Sequence, residues 1–300
     1  MRKVKVVLPA TVTNLGPGLN SLALALALHV TVEITERSDD IFTVETSGEG
    51  AGYYSTGLRH PVVLGLSYIF QKLERAPLGL TIRADSKIPP ASGLGSEAAF
   101  LIAGVIAANN LFGNPFNREA ITTLAAEVCQ RPDHAVTAIH GGLTSSLFDG
   151  DALLYRRLPI QAQQLIVIVP QIEHYEPRPR PERVLMSDAQ HNLACLPLVI
   201  DALRLGDLTL LGHVLNDQLI APAQTAAIPG CDHVITVAKH NGASAVTFSG
   251  NGPALIAFAP ANHRLLADGM IDAFADADVK ARAWVVPLDT QGVVISMAQS

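Results

Sequence analysis

The sequence predicts a mixed α/β fold, with strands and helices in both halves of a 300-residue chain and a break near Pro159. Short β-branched or alternating runs, such as Lys3–Leu8 and His29–Thr35, recur along the chain at strand length. Longer segments with apolar residues at helical spacing, such as Pro61–Leu73 and Asn117–Cys129, lie between them. Glycine-rich stretches around Gly16, Gly93 and Gly250 punctuate these elements. Hydrophobic residues make up 49% and charged ones 16%, a globular rather than a disordered composition. The length allows one large or two ordinary domains, and the break divides it into 1–158 and 159–300.

Lys3–Leu8 reads as a strand ended by Pro9. Asn14, Gly16, Pro17, Gly18 and Asn20 then gather turn formers between two apolar segments, and Thr11, Thr13 and Ser21 add polar groups. An ordinary loop and a ligand-approaching loop are both consistent with this stretch. His29–Thr35 and Ile41–Thr46 are strands, Pro61–Leu73 is a helix, and the strand Leu78–Ile82 delivers Asp85, Ser86 and Lys87 to the next loop. Asn117 is a fitting N-cap for the helix ending at Cys129, and Leu143–Phe148 with Ala152–Arg156 reads as a hairpin turning at Asp149-Gly150. In the second half, Gln164–Val169 suits a sheet centre, and the proline-punctuated Glu176–Arg183 cannot be helix or central strand. Helices are expected at Asp188–Leu205, Leu208–Leu219, Asp232–Asn241 and Ala261–Phe274. A hairpin is expected around Ser249–Pro253, and closing strands at Ala281–Val286 and Gly292–Met297.

The stretch from Ile88 to Leu111 carries the chemistry. Pro89, Pro90, Ala91 and Ser92 lead into Gly93-Leu94-Gly95, followed by Ser96, Glu97 and Ala98 and an apolar helix broken only by Gly104. A glycine loop feeding a helix start gathers unpaired N–H groups at the positive end of the helix dipole, which favours phosphate, although a tight turn is the plainer alternative. No Lys-Ser/Thr follows the glycines, so this is not a Walker loop, and the dinucleotide spacing fails at Ala98. A net charge of −6 gives no footprint for nucleic acid. The longest apolar runs, Ser21–Val30 and Ala98–Ala108, are too short to span a membrane. No leader is read at Met1-Arg2-Lys3, and Cys129, Cys195 and Cys231 lack zinc spacing, so a cytoplasmic protein is expected.

Taken together, these motifs resemble those of the GHMP small-molecule kinases, and among them the homoserine kinases. P-A-T-V-T-N-L-G-P-G-L-N-S-L (Pro9 to Leu22) is similar to the first family motif, and I-P-P-A-S-G-L-G-S-E-A-A to the phosphate-binding second. F-S-G-N-G-P-A (Phe248 to Ala254) is similar to the third, and E-x-x-x-R-P-D-H before Gly141-Gly142 and A-A-I-P-G (Ala226 to Gly230) also match. The resemblance covers nearly the full length. It implies a ribosomal-protein-S5-like N-terminal half and a ferredoxin-like C-terminal half, with ATP lying along Lys87, Pro89–Ala98 and its phosphates at the helix start. By position, Glu127 resembles the carboxylate that holds Mg²⁺, with Ser96 in the phosphate loop. His134 is a candidate general base and Asp133 an orienting carboxylate. Asn14, Gly16, Asn20, His134, Gln224, Gly250 and Gly252 are the expected acceptor contacts. Arg180 and Arg183, from a loop that also holds Arg178, are the cations offered to a substrate carboxylate.

The departures fall on the acceptor pocket and the phosphate loop. The homoserine kinases usually place Asp at Asn20, where it helps hold the ammonium, Asn at His134, and Arg at Gln224. The second motif usually has a second Ser at Glu97. The resemblance therefore implies ATP- and Mg²⁺-dependent phosphorylation of a small hydroxy acid, with homoserine first and threonine biosynthesis as the pathway. A different acceptor, such as mevalonate, or a catalytically weak nucleotide binder stays open, and so does a homodimer.

Overall fold

Two long strands open the chain. β1 (Arg2–Leu15) buries Val4, Val6 and Leu8 and leaves Lys3, Lys5 and Val7 half-buried, the alternation of a sheet with one packed face. It does not stop at Pro9 as the sequence suggested. A register shift between Pro9 and Ala10 accommodates the residue that has no N–H to give. β2 (Gly18–Arg37) pairs back along β1, so the expected first loop is only a tight turn at Gly16-Pro17. The computed structural model describes residues 2–173, 175–177 and 179–299; Met1 and Arg178, touched by the sequence reading, lie outside them.

β3 (Phe42–Gly48), α1 (Pro61–Leu73) and β4 (Gly79–Ser86) follow, then α2 (Ser96–Leu111), α3 (Arg118–Cys129), α4 (Pro132–His140), β5 (Leu143–Asp149) and β6 (Ala152–Leu158). β4 lies antiparallel to β2 and parallel to β3, while β5 pairs the start of β2 and carries β6. α2 buries every residue from Ala99 to Leu111 except Leu101. A helix apolar on all sides belongs inside a core, and α2 lies between α1, α3 and the sheet. Gly104 explains itself here. A Cβ on it would lie 2.1 Å from the Val62 carbonyl oxygen, and one on Gly65 would lie 2.0 Å from that of Leu101, so α1 and α2 touch backbone to backbone. α4 was not foreseen as a helix. Pro132 begins it with a preset φ, and Asp133 sits in its first turn at the positive end of the dipole.

The second half contains β7 (Gln164–Pro170), α5 (Met186–Leu205), α6 (Leu208–Val214), α7 (Ala221–Ala227), α8 (Cys231–His240), β8 (Ala245–Phe248), β9 (Leu255–Phe258), α9 (His263–Ala275), β10 (Ala281–Pro287) and β11 (Val294–Gln299). α6 ends before the expected Leu219 because the Asp217 carboxylate accepts the N–H groups of Leu219, Ile220 and Ala221 and turns the chain into α7. β7 is covered on both faces. Leu165 and Val167 pack into the larger core shared with the first half, and Ile166 and Ile168 into a smaller one under α8 and α9.

The strands form a seven-stranded sheet, β11-β1-β2-β4-β3 with β5 and β6 branching from β2, and a four-stranded antiparallel sheet, β10-β7-β9-β8. The last strand leaves the second sheet and returns to the edge of the first, pairing Val7 with Val294 through Arg2 with Gln299. Among the described residues no helix is long and apolar enough to cross a membrane.

Candidate active site

The loop between β4 and α2 is held by its own serines. The Ser86 hydroxyl bonds the backbone of Ile88, and the Ser92 hydroxyl donates to the Pro89 carbonyl (2.7 Å) and accepts from the Leu94 N–H (3.3 Å). Ala91, Gly93 and Gly95 all have left-handed backbones (φ 53, 92 and 76°), which coils the loop tightly. Gly95 is the N-cap of α2 and offers no side chain to it. The N–H groups of Ser96, Glu97 and Ala98 are therefore left for another acceptor.

The other two glycine stretches close on this loop. Thr11 N–H donates to the Leu94 carbonyl (3.0 Å), Gly250 N–H to the Thr13 carbonyl (2.8 Å) and Ala254 N–H to the Ser92 carbonyl (3.0 Å). The Ser249 hydroxyl donates to the Gly93 carbonyl (2.8 Å). A Cβ on Gly93 would lie 2.1 Å from the Ser249 carbonyl oxygen, and one on Gly252 would lie 2.2 Å from the Gly93 nitrogen. Only glycine at both positions permits this joint between the two halves.

A cleft of about 570 Å³ opens where they meet. Ala91, Ser92, Gly93, Gly95, Ser96, Glu97 and Ala98 form its floor, with His134, Gly250 and Gly252 opposite. Pro89 and Pro90 line a neighbouring cavity of about 470 Å³, together with Tyr53 and Trp284. Lys87 is exposed outside both, and Leu94 is buried in the core.

His134 is buried by α4, and its Nδ1 bonds the Thr11 hydroxyl at 2.6 Å. Burial pushes its pKa down to about 4, against the pull of Asp133, so the ring is neutral near pH 7. Asp133 is wholly buried behind it. Burial raises its carboxyl, but the Arg131 guanidinium, with contributions from His134, outweighs this and holds it below the usual carboxylate range. Arg131 grips Asp133 through Nε (3.0 Å) and Nη2 (2.7 Å), and Nη2 also donates to the Thr13 hydroxyl (3.1 Å).

Arg180 does not itself line the cleft but reaches a residue that does: it donates to the side-chain oxygen of Asn251 (3.4 Å), which also accepts from Asn14 (3.3 Å), and to that of Asn20 (3.1 Å). Gln224 donates to the Gly250 carbonyl (3.0 Å). Gly16 is buried against Leu215 and Thr247 and does not line the cleft. Arg183 is exposed away from it.

Glu127 is also apart from the cleft. It accepts from the Tyr68 hydroxyl and faces Lys72 at 4.0 Å, on the outer surface of α1 and α3. Arg131 and Tyr54 escaped the list of site candidates drawn from the sequence, and Thr11 entered only as a polar member of the first glycine stretch. The Tyr54 hydroxyl bonds Ser96 (2.8 Å), and its ring sits edge-on to Phe100 and His60. The Arg-Pro-Asp-His string was the signal available for Arg131; nothing local marked Tyr54.

The family described as GHMP kinases N terminal domain matches residues 62–142. A homoserine kinase of Moorella thermoacetica is 33% identical over 291 residues, 96% of this chain and 98% of that protein. The chain belongs to the homoserine kinase branch of the GHMP kinases. A homoserine kinase of Carboxydothermus hydrogenoformans is 32% identical over 85% of each chain. The crystal structure of homoserine kinase from Cytophaga hutchinsonii superposes with a TM-score of 0.85 at 24% identity, covering 98% of this chain and 97% of that one. The GHMP kinase fold thus extends over 98% of the chain.

Proposed function

We propose that this GHMP kinase transfers the terminal phosphoryl group of ATP to the side-chain hydroxyl of L-homoserine, giving O-phospho-L-homoserine and ADP, a step of threonine biosynthesis. The observation that carries the reading is the uncapped start of α2 on the floor of the cleft, where main-chain N–H groups stand in for a Walker lysine. Phosphoryl transfer asks mostly for positioning and neutralisation of charge. The N–H groups of Ser96, Glu97 and Ala98 hold phosphate oxygens, and Arg180 takes the carboxylate of the acceptor.

Thr11 occupies Nδ1 of His134, which leaves Nε2 for the acceptor hydroxyl. A nitrogen with a pKa of about 4 is a weak base, so it aims the hydroxyl as a hydrogen-bond acceptor and receives the proton late.

Among the described residues no cluster of three His, Cys, Asp or Glu side chains forms a ready-made metal cage. That suits Mg²⁺, which is commonly held by one or two protein oxygens and the phosphates themselves. Ser96 and Glu97, both lining the cleft, are the residues that would hold it, in place of Glu127, which does not line it. When bound, it neutralises charge on the β- and γ-phosphates. Cys129, Cys195 and Cys231 are free thiols, which suits a reducing cytoplasm.

A second reading has one observation behind it. Asn14, Asn20 and Asn251 present only amides beside Arg180, so these residues offer a cation for a carboxylate and no carboxylate to pair with an ammonium. The alternative is a GHMP kinase for a hydroxy acid without the amine. A coupled assay of ADP release with homoserine, threonine, mevalonate and 4-hydroxybutanoate decides between them. Homoserine is expected to give the highest kcat/KM. Release with 4-hydroxybutanoate or mevalonate alone would move the acceptor, and no release with any would overturn the kinase reading.

A further inference from the structure

A nucleotide's phosphates would bring negative charge into this cleft, yet the residues of its floor include no lysine. Of the described residues lining it, Arg131 is the only one with a permanent positive charge, and Glu97 adds a carboxylate at the phosphate end. His134 is neutral near pH 7, and Lys87 is exposed and does not line the cleft. The Arg131 side chain is anchored with unusual firmness for a residue at a cleft wall. Nε and Nη2 grip the buried Asp133, and Nη2 reaches Thr13 on the first glycine stretch. Its Nη1 has no acceptor among the described residues. The anchoring groups also touch the phosphate loop. A Cβ on Gly95 would lie 2.2 Å from the Thr11 hydroxyl and 2.9 Å from Nδ1 of His134, and one on Gly250 would lie 3.2 Å from the Thr13 hydroxyl. The guanidinium therefore stands where all three glycine stretches converge.

We propose that Arg131 is a catalytic residue whose Nη1 edge binds the phosphoryl group as it passes from nucleotide to acceptor, with Asp133 and Thr13 fixing its position. The inference rests on the reading of the cleft as a phosphotransfer site. In the transfer, the acceptor oxygen forms its bond to phosphorus while the bond to the β-phosphate oxygen breaks. The electron pair leaves with ADP, and the hydroxyl proton passes by way of His134 to solvent. Charge spreads over the equatorial oxygens of the moving group, and a fixed, planar cation meets it at little reorganisation cost. A guanidinium already held on its far edge by a carboxylate cannot swing away, so its free edge acts at a set place. Asp133 is then a positioning residue for Arg131 as well as for His134.

The test separates transition-state charge from simple nucleotide binding. In the full-length enzyme, Arg131→Ala is expected to lower kcat about 100- to 1,000-fold, the range for removing one preorganised donor. The Kd for ADP, read by calorimetry, should move less than about threefold, because ADP lacks the transferred group. Added guanidinium ion should restore part of kcat in Arg131→Ala and none in the wild type. Arg131→Lys keeps a charge but not the two-pronged grip, and is expected to fall between.

Arg131→Ala leaves Asp133 buried without its partner. Should it fail to fold, Arg131→Lys and the double variant Arg131→Ala/Asp133→Asn carry the same comparison. Variants with kcat within about threefold of wild type, or a kcat loss matched by an equal loss of ADP affinity, overturn the inference while homoserine phosphorylation stands. A wild-type enzyme that neither binds ADP nor releases it overturns both.

Discussion

At the scale of single residues, His134 makes the clearest commitment. Its folded pKa of about 4 lies below the ordinary value of 6.5, and the cause is burial. Above pH 6.5 the ring is neutral whether the chain is folded or not, so it contributes no pH dependence there. As pH falls from 6.5 toward 4, the unfolded chain takes up a proton that the folded one refuses, and stability is lost. Urea unfolding of the wild type should therefore weaken with acid about 1.4 kcal/mol per pH unit more steeply than that of His134→Asn across this window. Parallel curves would mean that the ring is protonated in place. His134 stood out in its string and lines the cleft, but its neutrality was not legible, since that comes from burial by distant parts of the chain. Glu127 shows the opposite case. The acid two residues before Cys129 was visible in the sequence, but helix rotation turns it toward Tyr68 and Lys72 while Val128, Cys129 and Gln130 face the cleft.

Elements were easier to read than residues, because apolar periodicity is local. α1, α3, β7 and the β5–β6 hairpin lie where their patterns placed them. α4 did not stand out, being short and opened by a charged string, and its start rests on Pro132 at the first position. β1 passed through Pro9 because a bulge needs no N–H there, which the sequence cannot declare. Gly104 was visible only as a break in α2. The touching backbones of α1 and α2 make it a requirement: Gly104→Ala forces a methyl to 2.1 Å from the Val62 carbonyl oxygen. Overpacking of this kind typically costs about 1–3 kcal/mol. Gly57→Ala, whose Cβ would meet nothing nearer than 3.8 Å, serves as the control and should fall within about 0.5 kcal/mol of wild type. Equal midpoints in urea for the two variants would refute the close approach.

At the scale of the whole molecule, the expected break at 158 is only part of the account. β6 ends the first run at Leu158 and β7 opens the second sheet at Gln164, but β11 leaves that half and completes the edge of the first sheet. The return is fastened before β11 begins. Asp289 pairs with His29 at 2.7 Å, its backbone bonds Ala25 and Gly142, and its side chain accepts from Gln291 and Gly292. Such long-range pairing has no local signature, so a pattern reading sees two sequential halves. Ending the chain after Pro287 should strip β1 of its edge partner β11, leaving only β2, and lower the melting temperature, and a circular-dichroism melt matching the full chain would contradict this. The abutting main chains of Gly93 and Gly252 have a different consequence, one for descent. Neither position can accept a side chain first and wait for the other to adjust, because each is obstructed by backbone, which no mutation elsewhere can shorten. The two stretches are bound to be inherited as a pair, whatever alcohol the enzyme comes to serve.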